Sequence, residues 1–268
     1  MELTVLVDNN TFIDQYYLGE PAACYYLEDG EKRILFDVGY SNVFLQNAHK
    51  LEIDISSITD IVISHGHNDH TGGLKYIGKS SVFTNVRVTA HKDIFKKRYA
   101  GDLEIGCPVD ISDLEEKFKL NLTEEPFNIN DDIIFLGEIP SYNNFERTKP
   151  VGLIQDGNEL QDDFVKDDSA LVYKNDKGLF IITGCSHSGI CNIVEHARHV
   201  CNEDRISGII GGFHLTALSD QLSKTIEYFK RNNISNLFPA HCVSFAAKAE
   251  MNKHINLSEV GVGLKISV

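Results

Sequence analysis

Positive charge is scarce in this chain. Its 268 residues carry 25 Lys and Arg against 39 Asp and Glu, a formal net charge of −14. Proteins that grip nucleic acid use clusters of Lys and Arg to neutralise phosphates and release counterions, so no standing nucleic-acid partner is expected. Long apolar runs are missing as well. No segment approaches the ~18 consecutive apolar residues of a membrane span. The opening Met1-Glu2-Leu3-Thr4-Val5-Leu6-Val7 has neither the basic start nor the long apolar stretch of a secretory leader. The six cysteines, at 24, 107, 185, 191, 201 and 242, form no dense framework and no Cys-x-x-Cys pair. They suit small buried side chains in a reducing compartment, and a cytoplasmic protein with no membrane partner is expected. No Pro/Ser/Gly-rich linker or repeat divides the chain, and its 42% hydrophobic content suffices for a sizeable core. A single domain over residues 1–268 follows.

Against these absences stands one dense cluster. Ser64-His65-Gly66-His67-Asn68-Asp69-His70-Thr71-Gly72-Gly73 puts His65, His67, Asp69 and His70 directly after the apolar run Ile61-Val62-Ile63. Two histidines two residues apart, in a loop leaving a strand, reach the same side and can share one cation. A tight turn then aims Asp69 and His70 at a second point close by, and the glycines let the backbone bend there. Structural zinc sites are closed and usually rich in Cys, whereas three protein ligands with an open fourth position make a catalytic site.

The flanking pattern supplies the frame. Apolar runs at 3–7, 23–27 and 33–36 read as a β-meander that delivers Asp37. Phe44, Ala48 and Leu51 predict a helix over 42–51, feeding a strand at 60–64. A strand at 86–90, a basic helix over 91–99 with Ile94 and Phe95 inward, a short helix at 112–118 and a strand at 133–136 follow. Residues 141–168 are polar and weakly patterned, and a stretch that long reads as a functional cover. Arg147 and Lys149, the cations of its first half, are candidates to hold an anionic substrate. Strands at 170–173 and 179–183 flank the hairpin turn Asn175-Asp176-Lys177-Gly178. A helix marked by Ile190, Ile193, Val194, Ala197 and Cys201, a strand at 206–210, a helix marked by Leu222, Ile226 and Phe229, and a strand at 236–238 complete the alternation. Strands covered by helices on their outer faces give an α/β chain folded as a four-layer αββα sandwich, with the ligands collected at one edge of its two sheets.

With these residues in hand, the chain resembles the metallo-β-lactamase-fold hydrolases, whose signature is the H-x-H-x-D-H loop. Leu35-Phe36-Asp37-Val38-Gly39 resembles their earlier strand-Asp-x-Gly element, with Val38 where Thr is more usual. Val7-Asp8-Asn9-Asn10, Thr183-Gly184-Cys185-Ser186-His187-Ser188-Gly189, Gly211-Gly212-Phe213-His214-Leu215 and Pro239-Ala240-His241-Cys242 are similar to one branch, the 7,8-dihydropterin-6-yl-methyl-4-(β-D-ribofuranosyl)aminobenzene 5′-phosphate synthases.

The resemblance implies two divalent metal ions, zinc first and manganese or iron next. Cys185 stands where a relative carries a bridging Asp. A thiolate there is a good zinc ligand once a cation lowers its pKa, and the alternative is a buried core Cys. The family's third His lies in a Pro-Gly-His-Thr element, but residues 140–168 contain no His. His187 is the candidate to replace it, beside Cys185 or instead of it. His241, after a strand and a Pro, matches the last family ligand. The expected sets are His65, His67 and His187 for one ion, and Asp69, His70 and His241 for the other. His214 is a catalytic donor, a substrate contact or a ligand. Asp37 is read as an orienter of a ligand His, and Asp168 as either the same or a turn residue. His91 is a donor or a cap, while His49, His196, His199 and His254 read as solvated.

The function expected is that of a dinuclear metal-dependent hydrolase, or a related enzyme, acting on a small anionic, phosphorylated, pterin-like substrate. A metal-activated water would be the nucleophile, oriented or deprotonated by Asp69. In the pterin branch the resemblance implies carbon–carbon or carbon–nitrogen bond formation in place of simple hydrolysis. The alternatives are a metal-dependent redox or electron-carrying protein of the same fold that uses Cys185, Cys191, Cys201 or Cys242, and a phosphodiesterase or thioesterase. His67 speaks against the redox branch, whose diiron members typically carry Glu at that position, and the missing Pro-Gly-His-Thr element weakens the thioesterase. Homo-oligomerisation is left open.

Overall fold

The computed structural model describes all residues, 1–268. The chain divides into two compact units, each gathered from separated stretches. Met1–Glu124, Val151–Asp163 and Val260–Val268 make the first; Glu125–Pro150 and Phe164–Glu259 make the second.

The first unit is built on a seven-stranded sheet. Its order is Lys265–Ser267, Glu2–Val7, Cys24–Asp29, Lys32–Phe36, Asp60–Val62, Arg87–Ala90 and Lys119–Leu122. The expected meander pairs antiparallel, and from Lys32–Phe36 onward the strands run parallel. That change of direction positions the site. Asp37, the His65 loop and His91 each follow the carboxyl end of one of three adjacent parallel strands, where open α/β sheets characteristically present functional groups. Phe44 and Ala48 of the helix Val43–Lys50 pack inward with Leu6, Leu35, Ile61, Leu74 and Ile77. On the same helix Asn47 is fully buried, and its amide donates to the Leu6 and Leu18 carbonyls while accepting from the Leu18 N–H. Apolar spacing at three and four residues explains this helix better than propensity does.

A second, four-stranded sheet in this unit runs Glu159–Asp163, Gly152–Asp156, Arg98–Ala100 and Leu103–Glu104. It overturns two expectations. The basic helix over 91–99 is absent: a turn runs into the strand Arg98–Ala100, and the Arg98 guanidinium is fully buried, bonded to Asp163 at 2.7 Å. A buried ion pair of this kind overrides local helix preference, because removing either partner strands a charge. The stretch expected to be an unstructured cover contains the hairpin Gly152–Asp156 with Glu159–Asp163, closed at the pair Asp156↔Glu159 around Gly157 with φ +60°. The Gly157-Asn158 dipeptide was the readable signal for that turn.

The second unit carries a six-stranded sheet ordered Leu237–Pro239, Ile206–Gly211, Gly178–Thr183, Ala170–Asn175, Ile133–Phe135 and Phe127–Asn128. The hairpin turn lies where expected, with Asn175 paired to Gly178. Beyond it three strands run parallel with Thr183, Gly211 and Pro239 in register, so three successive loops leave the sheet at the same level. The helix Ile190–Cys201 buries Ile190, Ile193, Val194 and Ala197 together with Val172, Ile181, Ile209 and Phe229. Ser219 and Ser244 cap the helices Asp220–Arg231 and Phe245–Asn252, the latter unforeseen from its weak apolar pattern. No helix in either unit is long and apolar enough to cross a membrane.

Candidate metal centre

In the first unit the motif loop leaves the strand Asp60–Val62 and passes into the short helix Asn68–Thr71. It is gripped from both sides. A Cβ on Gly66 would lie 2.4 Å from the Ile94 carbonyl oxygen, and one on Gly72 would lie 2.1 Å from that of Tyr40, so only glycine admits these backbone approaches. Backbone bonds secure the loop, among them those from Asn68 N–H to the Ile105 carbonyl, from Val38 N–H to that of His70, and from Gly73 N–H to that of Gly39.

His65, His67 and His70 are buried and Asp69 is partly exposed. His65 Nε2 lies 3.0 Å from His67 Nδ1, and His70 Nε2 lies 3.7 Å from the Asp69 carboxylate. Two ligands of one tetrahedral zinc, each at about 2.0–2.2 Å, stand roughly 3.3 Å apart. The two pairs bracket that spacing, and the donor set fits a metal ion.

Asp37 is the anchor. Fully buried, with φ +57°, it accepts from His70 Nδ1 at 2.7 Å, from the Ser64 N–H at 2.7 Å and from the Ser64 hydroxyl at 2.8 Å. The bond to His70 engages Nδ1, so Nε2 is the nitrogen of that ring that could take a metal ion.

In the second unit the three in-register loops carry Cys185 and His187, His214, and His241. The Cys185 sulfur lies within 4.8 Å of a ligand atom of His187, and within the same distance of one of His241. Cys185 is therefore central to this donor set, and the pairing of Cys185 with His187 as alternatives becomes a pairing of neighbours. The His187 and His214 rings approach to 4.3 Å between centroids. Each tie between the loops has a backbone group at one end or both: the Ser186 and Thr183 hydroxyls donate to the Gly212 carbonyl, Gly212 N–H to that of Gly184, and Ala240 N–H to that of Gly211. Cys242, a candidate only in the redox alternative, is a joint between them. Its sulfur accepts from His214 N–H at 3.3 Å, and its thiol donates to the Cys185 carbonyl at 3.4 Å. Ser186, His214 and His241 all hold φ near +50°, a conformation that non-glycine residues keep only where the surroundings enforce it.

Asp168 is fully buried and accepts from Ser188 N–H at 2.9 Å, beside His187. Burial pushes its carboxyl up to about 7, against the lowering effect of the Ser188 bonds. It is both a turn residue, through its own N–H to Val165, and a brace for the ligand loop.

Other candidate residues are held by partners of their own. His91 lies in a turn, its Nδ1 accepting from Asp93 N–H, and caps no helix. His196, expected to be solvated, is buried: it hydrogen-bonds the Leu136 carbonyl at 3.1 Å and the Tyr142 hydroxyl at 3.0 Å, and burial lowers its pKa. Arg147 spends its guanidinium on the Ile139 carbonyl and the Ser141 hydroxyl within its own loop, while Lys149 is exposed. Glu146 accepts from the N–H groups of Cys191 and Asn192 at the start of the helix Ile190–Cys201, with burial raising its pKa. The segment around it is thereby clamped. Burial also raises the thiol pKa values of Cys24, Cys107, Cys191 and Cys201, which keeps them protonated and speaks against a redox use of Cys191 and Cys201.

A model of the metallo-beta-lactamase superfamily matches residues 18–191. The chain is 35% identical over 268 residues to the uncharacterized protein MJ0448 of Methanocaldococcus jannaschii, covering 99% of this chain and 100% of that one. It is 34% identical over 232 residues to the 7,8-dihydropterin-6-methyl-4-(beta-D-ribofuranosyl)-aminobenzene-5′-phosphate synthase of the same organism, covering 81% and 78% of the two chains. The crystal structure of Tm1679, described as a metal-dependent hydrolase of the beta-lactamase superfamily, matches with a TM-score of 0.86 at 31% identity over 100% of this chain and 99% of that one. An H-x-H-x-D-H loop at a parallel strand end, a family match over residues 18–191 and a shared architecture lead to one assignment: the chain belongs to the metallo-β-lactamase superfamily and has its fold.

Proposed function

We propose that this protein is a dinuclear metal-dependent hydrolase, or a related enzyme, that acts on a small anionic, phosphorylated substrate. The observation that carries the reading is the spacing of the two donor pairs, His65 with His67 and Asp69 with His70, each near the separation two ligands of one ion adopt. In this reading His65, His67 and His187 hold one ion, Asp69, His70 and His241 hold the other, and Cys185 ligates among them. A set of imidazoles, one carboxylate and one thiolate suits zinc better than a hard cation.

Bound divalent ions supply Lewis acidity and water of lowered pKa. The chain's own residues do the rest. Asp69, whose carboxylate is partly exposed, orients the attacking water and takes up its proton. His214, half-exposed and held by its N–H to Cys242, gives a proton to the leaving group. The protein's excess of acidic residues leaves the ions themselves as the main attraction for an anion. A phosphate-bearing pterin is the first candidate substrate, because a relative at 34% identity is named for such a product.

The test is elemental analysis of protein loaded with zinc, manganese or iron, followed by a screen of phosphodiesters, thioesters, lactones and pterin phosphates. Two ions per chain and turnover of a phosphorylated compound are expected. Fewer than one ion per chain overturns the metal assignment, and turnover confined to neutral esters overturns the substrate class.

A further inference from the structure

We propose that Ser64 sets the tautomer of His65, carrying the influence of Asp37 to a ring that Asp37 does not touch. The inference rests on the metal reading above and extends it to a positioning residue. The Ser64 hydroxyl has one proton and two neighbours, Asp37 Oδ2 at 2.8 Å and His65 Nδ1 at 2.9 Å. A carboxylate is the stronger acceptor. The hydroxyl proton therefore goes to Asp37, and the Ser64 oxygen is left to accept. His65 Nδ1 must then carry the ring hydrogen and donate it, which leaves the lone pair on Nε2.

Nε2 is the atom that faces the donor set, 3.0 Å from His67 Nδ1. The opposite tautomer would put a hydrogen on Nε2 and disqualify the ring as a ligand. Ser64 is fully buried, so no solvent competes for its hydroxyl, and its N–H is itself fixed on Asp37 Oδ1 at 2.7 Å. One carboxylate thus orients His70 directly and His65 through a single hydroxyl, reaching one ligand of each proposed ion.

The experiment compares the protein with its Ser64→Ala and Ser64→Thr variants. The alanine variant keeps the backbone bond to Asp37 and loses the relay; the threonine variant keeps the hydroxyl. In chelator competition on the zinc-loaded proteins, the Ser64→Ala variant is expected to hold one of its two ions about 10–100-fold more weakly, with recovery in Ser64→Thr. Nitrogen NMR of the metal-free, unsubstituted protein is expected to find the His65 hydrogen on Nδ1. That second reading needs neither metal nor a folded variant. A protein that takes up no zinc would defeat the metal reading while the NMR still decides the tautomer. A His65 hydrogen on Nε2, unchanged zinc affinity in Ser64→Ala, or equal weakening in both variants overturns the proposal.

Discussion

In the first unit four donors arrive within six residues of one loop, and two of them, His70 directly and His65 through Ser64, depend on one buried side chain, Asp37; in the second, Cys185, His187, His214 and His241 leave three different strand ends and are joined by several bonds, each with a backbone group at one end or both. The first arrangement is compact and vulnerable to a single side-chain change. The second spreads its constraints over the register of three parallel strands, which side-chain substitutions leave in place. The two halves should therefore respond differently to equivalent mutations.

The largest difference is expected for Asp69→Ala. It removes a ligand and the water-orienting carboxylate together, so activity on the substrate found by the screen should fall more than 100-fold, beyond the about 10–100-fold typical of groups behind the ligands. The circular dichroism spectrum should be unchanged, because Asp69 lies outside the aliphatic core. Full activity in this variant would remove Asp69 from the mechanism.

Next comes Asp37→Asn against Asp168→Asn. Asp37 touches His70 and, through Ser64, His65, so its loss should weaken both ions by about 10–100-fold. Asp168 touches only the loop of the second unit and should affect one. Titration of zinc against a chelator distinguishes the two, and matching losses in both variants would erase the contrast drawn here.

Cys185 gives a smaller, kinetic readout. A thiolate bound to a cation is a poor nucleophile, so alkylation of Cys185 should be slow in the zinc-loaded protein and fast after chelation. Equal rates in both states would return Cys185 to core packing.

A pH effect follows from Asp168 in the metal-free protein. Its carboxyl is raised from an ordinary value near 3.8 to about 7 by burial. A carboxyl with a raised folded pKa contributes stability that is present in full below its unfolded pKa and is lost as pH rises through the folded one. The melting temperature should therefore decline between about pH 4 and 7, and Asp168→Asn should flatten that decline. A slope unchanged by the substitution would assign the dependence elsewhere.

The smallest effect is expected for Glu146→Gln. It weakens the cap on Cys191 and Asn192 at a helix start, costing about 1 kcal/mol in denaturant unfolding while leaving zinc content intact.

The same contrast explains what could be read from sequence. The first donor set was legible because its members fall within six residues, and Asp37 because a carboxylate at a strand end precedes them. Most strands and helices were equally readable from apolar spacing, as with Phe44 and Ala48. In the second donor set Cys185, His187 and His241 could be nominated only by resemblance, since strand register brings them together and register is not local. Cys242 was read only as a redox candidate for a related reason: its work is done through a sulfur–backbone joint that no motif records. The helix over 91–99 failed because Arg98 answers to Asp163, a partner 65 residues away. His196 failed because a helix with polar neighbours can still press a histidine against the Leu136 carbonyl.

The pairing of Glu2 with Ser267 sets the order in which this molecule can assemble. The sheet that carries the motif loop receives its outer strand from Lys265–Ser267, which lies beyond the second unit's residues along the chain, and the first unit's small sheet waits for Gly152–Asp163. On a ribosome the second unit's strands from Phe127–Asn128 to Leu237–Pro239 are all in hand before the first unit's sheet can close. Non-local pairing of this span is slow, because chain entropy is lost before any contact repays it. The first unit's refolding should accordingly be the slower step, with its apolar strand Glu2–Val7 exposed longest along one edge.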